Sequence, residues 1–186
     1  VNNNLIRFLV MVGAVLVLAS GFMAFEHYSK TLNLESVEYE RREVAKPFTL
    51  PVISRSEFFP VSTETYSLAE AKGKPVLLHF WASWCGPCRA SNPDNVKLYN
   101  KYKQKGFEII GLSIDENKTS WIKAIKKDRL TYPQIIDNKG WEAYTAKKYG
   151  VDRIPTTFLI DKKGVIRAID PEKSDLPKMI NKLLKE

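Results

Sequence analysis

Apolar positions fall into two rhythms along this chain, and the alternation between them predicts most of its elements. Val76 to Trp81 is a continuous apolar run interrupted only by His79, as in a parallel strand covered on both faces. Phe107 to Ile114 (FEIIGLSI) is a second such run. Between them Leu98 and Tyr102 keep helical spacing, Pro87 suits a first helical turn, Pro93 predicts a kink and Gly106 a stop. NKTSWIKAIKKD puts Trp121, Ile122 and Ile125 on one helical face, YPQIID reads as a short third strand, and WEAYTAKKYG as a helix ending at Gly150. TTFLID and VIRAID flank Lys162-Lys163-Gly164, a hairpin signal, and DLPKMINKLL is a final helix that covers a face. Upstream, FTL and ETYSL lie among Pro47, Pro51 and Pro60 and predict short extended pieces at a sheet edge. Strand–helix–strand–helix followed by a hairpin and helix is the order of an α/β fold: a central mixed sheet with helices on both faces and right-handed crossovers.

A different pattern occupies the amino terminus. Phe8 to Phe25 carries no charge, and at ~1.5 Å per residue such a run spans about 27 Å, close to the ~30 Å of bilayer hydrocarbon. It is longer than the ~7–15 apolar residues of a cleaved signal, and Ala19-Ser20-Gly21 is a poor cleavage site. The segment therefore reads as a single transmembrane helix. Arg7 precedes it and Glu26 follows, which by the positive-inside tendency leaves the amino terminus in the cytoplasm and exports the rest. The expected organisation is an anchor over residues 1–26, a polar tether over 27–46 and one domain over 47–186, on the extracytoplasmic (periplasmic) side of the cytoplasmic membrane.

Composition changes this picture little: 44% hydrophobic and 27% charged residues in 186 suit one ordinary domain with a full core. The net charge of +8 comes from scattered lysines, densest at Lys123, Lys126 and Lys127, and not from a basic stripe interleaved with aromatics. A nucleic-acid partner is not expected.

Cysteine usage is more informative. Cys85 and Cys88 are the only two in the chain. A static disulfide across so short a loop would restrain the unfolded chain little. A zinc site needs four ligands, and the only histidines that could join the pair are His27, beside the apolar amino-terminal run, and His79, on an inner strand, so no metal is expected. The reading that remains is a redox pair in a compartment where disulfides form. Cys85 opens a helix, where unpaired amides and the dipole favour a thiolate; Cys88 lies one turn inside.

FWASWCGPC (Phe80 to Cys88), Pro93, and KKYGVDRIPTTFLIDKKG (Lys147 to Gly164) together resemble the thioredoxin fold family. The extra helix and strand between FEIIGLSI and WEAYTAKKYG resemble the insertion of the TlpA/ResA-like group of membrane-anchored, exported thiol–disulfide oxidoreductases. The resemblance implies a thioredoxin-like domain with one inserted helix/strand unit. It implies catalysis by Cys85 and Cys88 through their reversible disulfide, with no separate cofactor. It further implies a substrate groove formed by Trp84, Gly86, Pro87, Arg153, Ile154, Pro155 and Thr156, with Pro155 cis and the Ile154 backbone open to a substrate strand. Gly-Pro between the cysteines resembles reducing thioredoxins, at about −270 mV, more than oxidants near −120 mV. The implied partners are client proteins with disulfides or thiols and a membrane electron donor. Two positions depart from the pattern. Ser91 stands where members serving cytochrome c maturation often carry glutamate, so that pathway is not supported locally. Arg153 replaces a common glycine and puts a charge beside the groove, where it serves Cys85 or acidic substrates, or is simply solvated.

His79 occupies the place of the buried aspartate that in thioredoxins helps the second thiol lose its proton. Two readings follow: a neutral imidazole that accepts the Cys88 proton, directly or through a water, or a core histidine satisfied by hydrogen bonds. Two other functions compete with the oxidoreductase. A thiol peroxidase of the same fold would carry P-x-x-x-T/S-x-x-C, but Leu78 and Ala82 occupy the proline and hydroxyl positions. A non-catalytic binding or assembly protein would use the same groove without the thiols.

Overall fold

The computed structural model describes residues 43–53 and 65–186. The Phe8–Phe25 segment and most of the expected tether lie outside the described residues; among those described, no helix is long and apolar enough to cross a membrane. The strands are β1 (Thr49–Ile53), β2 (Thr65–Ser67), β3 (Val76–Trp81), β4 (Glu108–Ser113), β5 (Gln134–Ile136), β6 (Thr156–Ile160) and β7 (Ile166–Ile169). The helices are α1 (Gly86–Tyr102), α2 (Lys118–Asp128), α3 (Tyr144–Lys148) and α4 (Leu176–Lys185).

The strands form one mixed sheet in the order β2-β1-β5-β4-β3-β6-β7. β3, β4 and β5 run parallel, joined by α1 and α2, while β6 returns antiparallel to β3. Every residue of β3 and β4 is buried, which is why their sequences read as unbroken apolar runs. Side chains alternate across β3. On one face His79 meets Asn95 of α1. On the other Phe80 packs against Phe158 and against Tyr149, just past α3. Helical segments thus cover both faces, and α4 joins the α1 side through Asn181, whose amide donates to the Tyr102 hydroxyl at 3.4 Å.

The expected β6–β7 hairpin is present. Asp161 accepts from the Lys163 and Val165 amides, each at 2.9 Å, and Gly164 supplies the positive φ the turn requires. α1 runs through Pro93 without ending there. The helix expected over Trp141–Gly150 is instead two pieces: a 3₁₀ turn, Gly140–Glu142, and the short α3, separated by Ala143 at φ −52°, ψ 125°. The buried Asp137 carboxylate causes the break, because it accepts both the amide and the hydroxyl of Thr145 at 2.9 and 2.8 Å and starts α3 afresh.

Residues 43–46, assigned above to the tether, pair with the hairpin. Ala45 N–H donates to Gly164 O at 2.8 Å, Ile166 N–H to Glu43 O at 3.0 Å, and Val44 bridges Val165. The Tyr149 hydroxyl donates to Lys46 O at 2.7 Å. The compact unit begins at Glu43.

Candidate active site around the Cys85–Cys88 disulfide

β3 ends at Trp81, and its buried register carries the chain to a short loop, Ala82–Trp84, that delivers Cys85 to the start of α1. Cys85 is the N-cap, in extended conformation at φ −82°, ψ 104°. Its sulfur accepts the Cys88 amide at 3.2 Å, occupying one of the unpaired donors of the first turn. Pro87 removes another. The two sulfurs are bonded at 2.02 Å. Cys88 is fully buried; Cys85 retains 6% exposure, and Gly86 and Pro87 beside it are exposed.

Across the groove the Ile154–Pro155 peptide is cis. The Ile154 carbonyl oxygen lies 3.8 Å from the Cys85 sulfur. The Thr156 hydroxyl donates to Arg153 O at 2.8 Å and holds this loop closed. The structure therefore sets the loop Ile154-Pro155-Thr156 against Cys85 through the Ile154 carbonyl, with Trp84, Gly86 and Pro87 as the chain neighbours of that cysteine. Arg153 turns away: its guanidinium pairs with Asp170 at 3.3 Å, and the side chain is largely solvated.

The loop before Cys85 is held by residues that sequence reading did not single out. Asp115, buried at the end of β4, accepts the Ser83 amide at 2.8 Å, the Ser83 hydroxyl at 2.5 Å and the Ser113 hydroxyl at 2.7 Å. Arg89 donates to Ser83 O at 3.1 Å while its guanidinium forks onto Asp128, which also accepts from Asn92 at 2.7 Å. Burial pushes the Asp128 carboxyl up, but the hydrogen bonds from Arg89 and Asn92 outweigh it and hold the group below the usual range. The signal in the sequence was faint: an acidic residue just past a buried strand, and an arginine in the first turn of a helix.

His79 is completely buried. Its Nδ1 lies 3.3 Å from the Asn95 amide nitrogen, and Nε2 has no hydrogen-bond partner among the described residues. Neither ring nitrogen bonds Cys88. Asn95 follows Cys88 by about two helical turns, roughly 10 Å along the axis. Burial pushes the imidazole down to about 4.

Two indoles stand exposed in the neighbourhood of Cys85, one of them from the residue just before it. Trp84 and Trp141, 58% and 45% exposed, have ring centroids 6.3 Å apart. They border a cleft of about 390 Å³ lined also by Asp115, Glu116, Asn117 and Ser120. Trp141 comes from the insertion-side 3₁₀ turn and was not among the residues expected at the site.

A thioredoxin-like sheet with a disulfide at a helix start and a cis-proline loop against it defines a thiol–disulfide oxidoreductase. The Redoxin family profile matches residues 49–184, and the chain belongs to that family. It is similar to the thiol-disulfide oxidoreductase ResA of Bacillus cereus, with 38% identity over 161 residues, 86% of each chain. It is 34% identical to the thioredoxin-like protein YneN of Bacillus subtilis over 86% of this chain and 87% of that one. Among solved structures, the thioredoxin domain of a thiol-disulfide oxidoreductase from Bacteroides vulgatus superposes with a TM-score of 0.67 at 31% identity, covering 76% of this chain and 96% of that one. A thiol-disulfide oxidoreductase from Bacteroides fragilis gives 0.66 at 33% identity, over 76% and 99% respectively.

Proposed function

We propose that this protein reduces or isomerises disulfides of exported client proteins while tethered to the cytoplasmic membrane by its amino-terminal segment. The observation that carries the mechanism is the inequality of the two sulfurs: Cys85 caps the helix beneath an open groove, and Cys88 is sealed inside. In the reduced protein the Cys85 thiolate, favoured by the helix start, attacks a client disulfide. One client sulfur leaves as thiolate and a mixed disulfide forms. Cys88, deprotonated, then attacks the Cys85 sulfur, and the second client thiolate leaves. Two electrons pass to the client, and the chain ends as the disulfide seen here. Returning it to the dithiol needs two electrons from a membrane donor.

Replacing Cys88 with Ser should accumulate mixed disulfides with clients, and replacing Cys85 should not. Non-reducing gels read the outcome, and trapping by the Cys85→Ser chain instead would reverse the assignment. The same pair of variants separates catalysis from binding, because a non-catalytic assembly protein would complement a deletion strain with both cysteines changed to Ser.

A further inference from the structure

The cleft beside Cys85 carries more information than the disulfide chemistry uses. Trp84 is the residue before the nucleophile, so one wall of the cleft starts a single residue, ~3.8 Å along the chain, from the reacting position. Trp141 lines the cleft too, its ring packed at a tilt against that of Trp84. Asp115 and Glu116 both line the cleft, and among the described residues no lysine or arginine does, in a chain whose net charge is +8.

The two carboxylates are not equivalent. Asp115 is buried and spent on Ser83 and Ser113. Glu116 is exposed, and among the described residues it has no hydrogen-bonding or ionic partner. Gly140 gives it room: a Cβ there would come within 2.5 Å of the Glu116 Oε1. The backbone at Gly140, with φ 57°, also turns the chain that presents Trp141. An uncommitted carboxylate in the same cleft as a pair of exposed indoles is complementary to one kind of side chain, a long cation with an apolar stem. The head pairs with the carboxylate, and the stem and charge lie against the rings.

We propose that this cleft is a specificity site for clients that carry lysine or arginine close to the cysteine under attack. The inference rests on the reductase reading above and deepens it. An exposed ion pair and an exposed cation–π contact are each modest, and together they favour a cationic neighbour about 10-fold over an anionic one. The direction is diagnostic. The field of a chain at +8 draws acidic peptides, so a preference for basic ones has to come from local contacts.

The test uses three synthetic peptides, each with one intramolecular disulfide and identical but for Lys, Gln or Glu beside the first cysteine. The reduced full chain is mixed with each, and the rate of dithiol formation is followed by quenched flow and chromatography. The wild-type chain should reduce the Lys peptide about 10-fold faster than the Glu peptide, with Gln between, and the ratio should shrink as salt rises. Glu116→Gln, which keeps the shape against Gly140, should cut the Lys/Glu ratio about three-fold, Trp141→Ala should cut it similarly, and Glu116→Lys should invert it. Ratios are read within each variant, so a general loss of activity does not imitate the effect. Equal rates for the three peptides, or a ratio indifferent to Glu116→Lys, would overturn the cleft's role while leaving the reductase reading intact. Failure to reduce any of the three would overturn both.

Discussion

His79 poses a problem at the scale of a single residue, because the burial that makes it neutral also makes it a poor base. A thiol has an ordinary pKa of ~8.5. Handing its proton to an imidazole held down to about 4 is uphill by more than four pKa units. The ring also spends Nδ1 on Asn95 and contacts Cys88 with neither nitrogen. We propose packing as the role of His79 in preference to proton transfer, and the kinetics below decide whether the unpartnered Nε2 serves Cys88 through a water. His79→Asn should therefore change the rate at which Cys88 resolves a mixed disulfide by less than about 10-fold between pH 5 and 8, below the ~10²-fold minimum of a typical catalytic base. Stopped-flow resolution kinetics measure this, and a 10²-fold loss would restore His79 as proton acceptor. Stability should report His79 more strongly. Between its folded value of about 4 and the unfolded ~6.5, the unfolded chain binds a proton that the native state refuses. Stability contributed by the neutral ring is therefore complete above ~6.5 and falls as pH drops towards 4, by up to about 3 kcal/mol at ~1.4 kcal/mol per unit. Urea titrations of the oxidised chain at pH 7 and pH 4 should show this extra acid sensitivity in the wild type and not in His79→Asn.

Elements are fitted to one another most tightly where His79, Gly111 and Gln134 line up across β3, β4 and β5. Gly111 is extended, so the turn-forming freedom of glycine is not what the position needs. It needs space: a Cβ there would meet the Gln134 Oε1 at 2.3 Å. The Gln134 amide lies over the glycine and donates to Tyr132 O at 3.3 Å. Gly111→Ala should cost about 1–3 kcal/mol by overpacking. In a Gln134→Ala background the same change should cost markedly less, because the clashing amide is gone. Chemical denaturation of the four chains of this cycle tests the coupling; an equal cost in both backgrounds would refute it. The periodic signal for β4 was plain in the sequence, but the reason for its glycine was not, because the partner is a side chain from a strand 23 positions further on.

At the scale of the whole molecule, the described domain is one covered sheet with its redox pair at the mouth of a groove, and the expectation of an exported, tethered protein concerns where that mouth faces. A reporter fused after Glu186 should register export, and alkaline carbonate extraction should leave the chain with the membranes. A shortened, soluble product would mean that the Phe8–Phe25 run is removed. The sequence alone determined the buried strands, the hairpin and the redox pair, because each depends on local patterning: apolar continuity, turn chemistry, and two thiols held within one helical turn of each other. The cis-proline loop was legible only through resemblance, since nothing within Ile154-Pro155-Thr156 says what it will face. Tertiary structure decided the rest. Asp115, Arg89 and Asp128 hold the active-site loop from three separate elements, Asp137 splits a helix that its own periodicity would have continued, and Trp141 stands beside Trp84 across 57 residues of chain. Interactions of this kind depend on which elements become neighbours, and hydrophobic period, which reports only how a segment meets the core, carries no record of that.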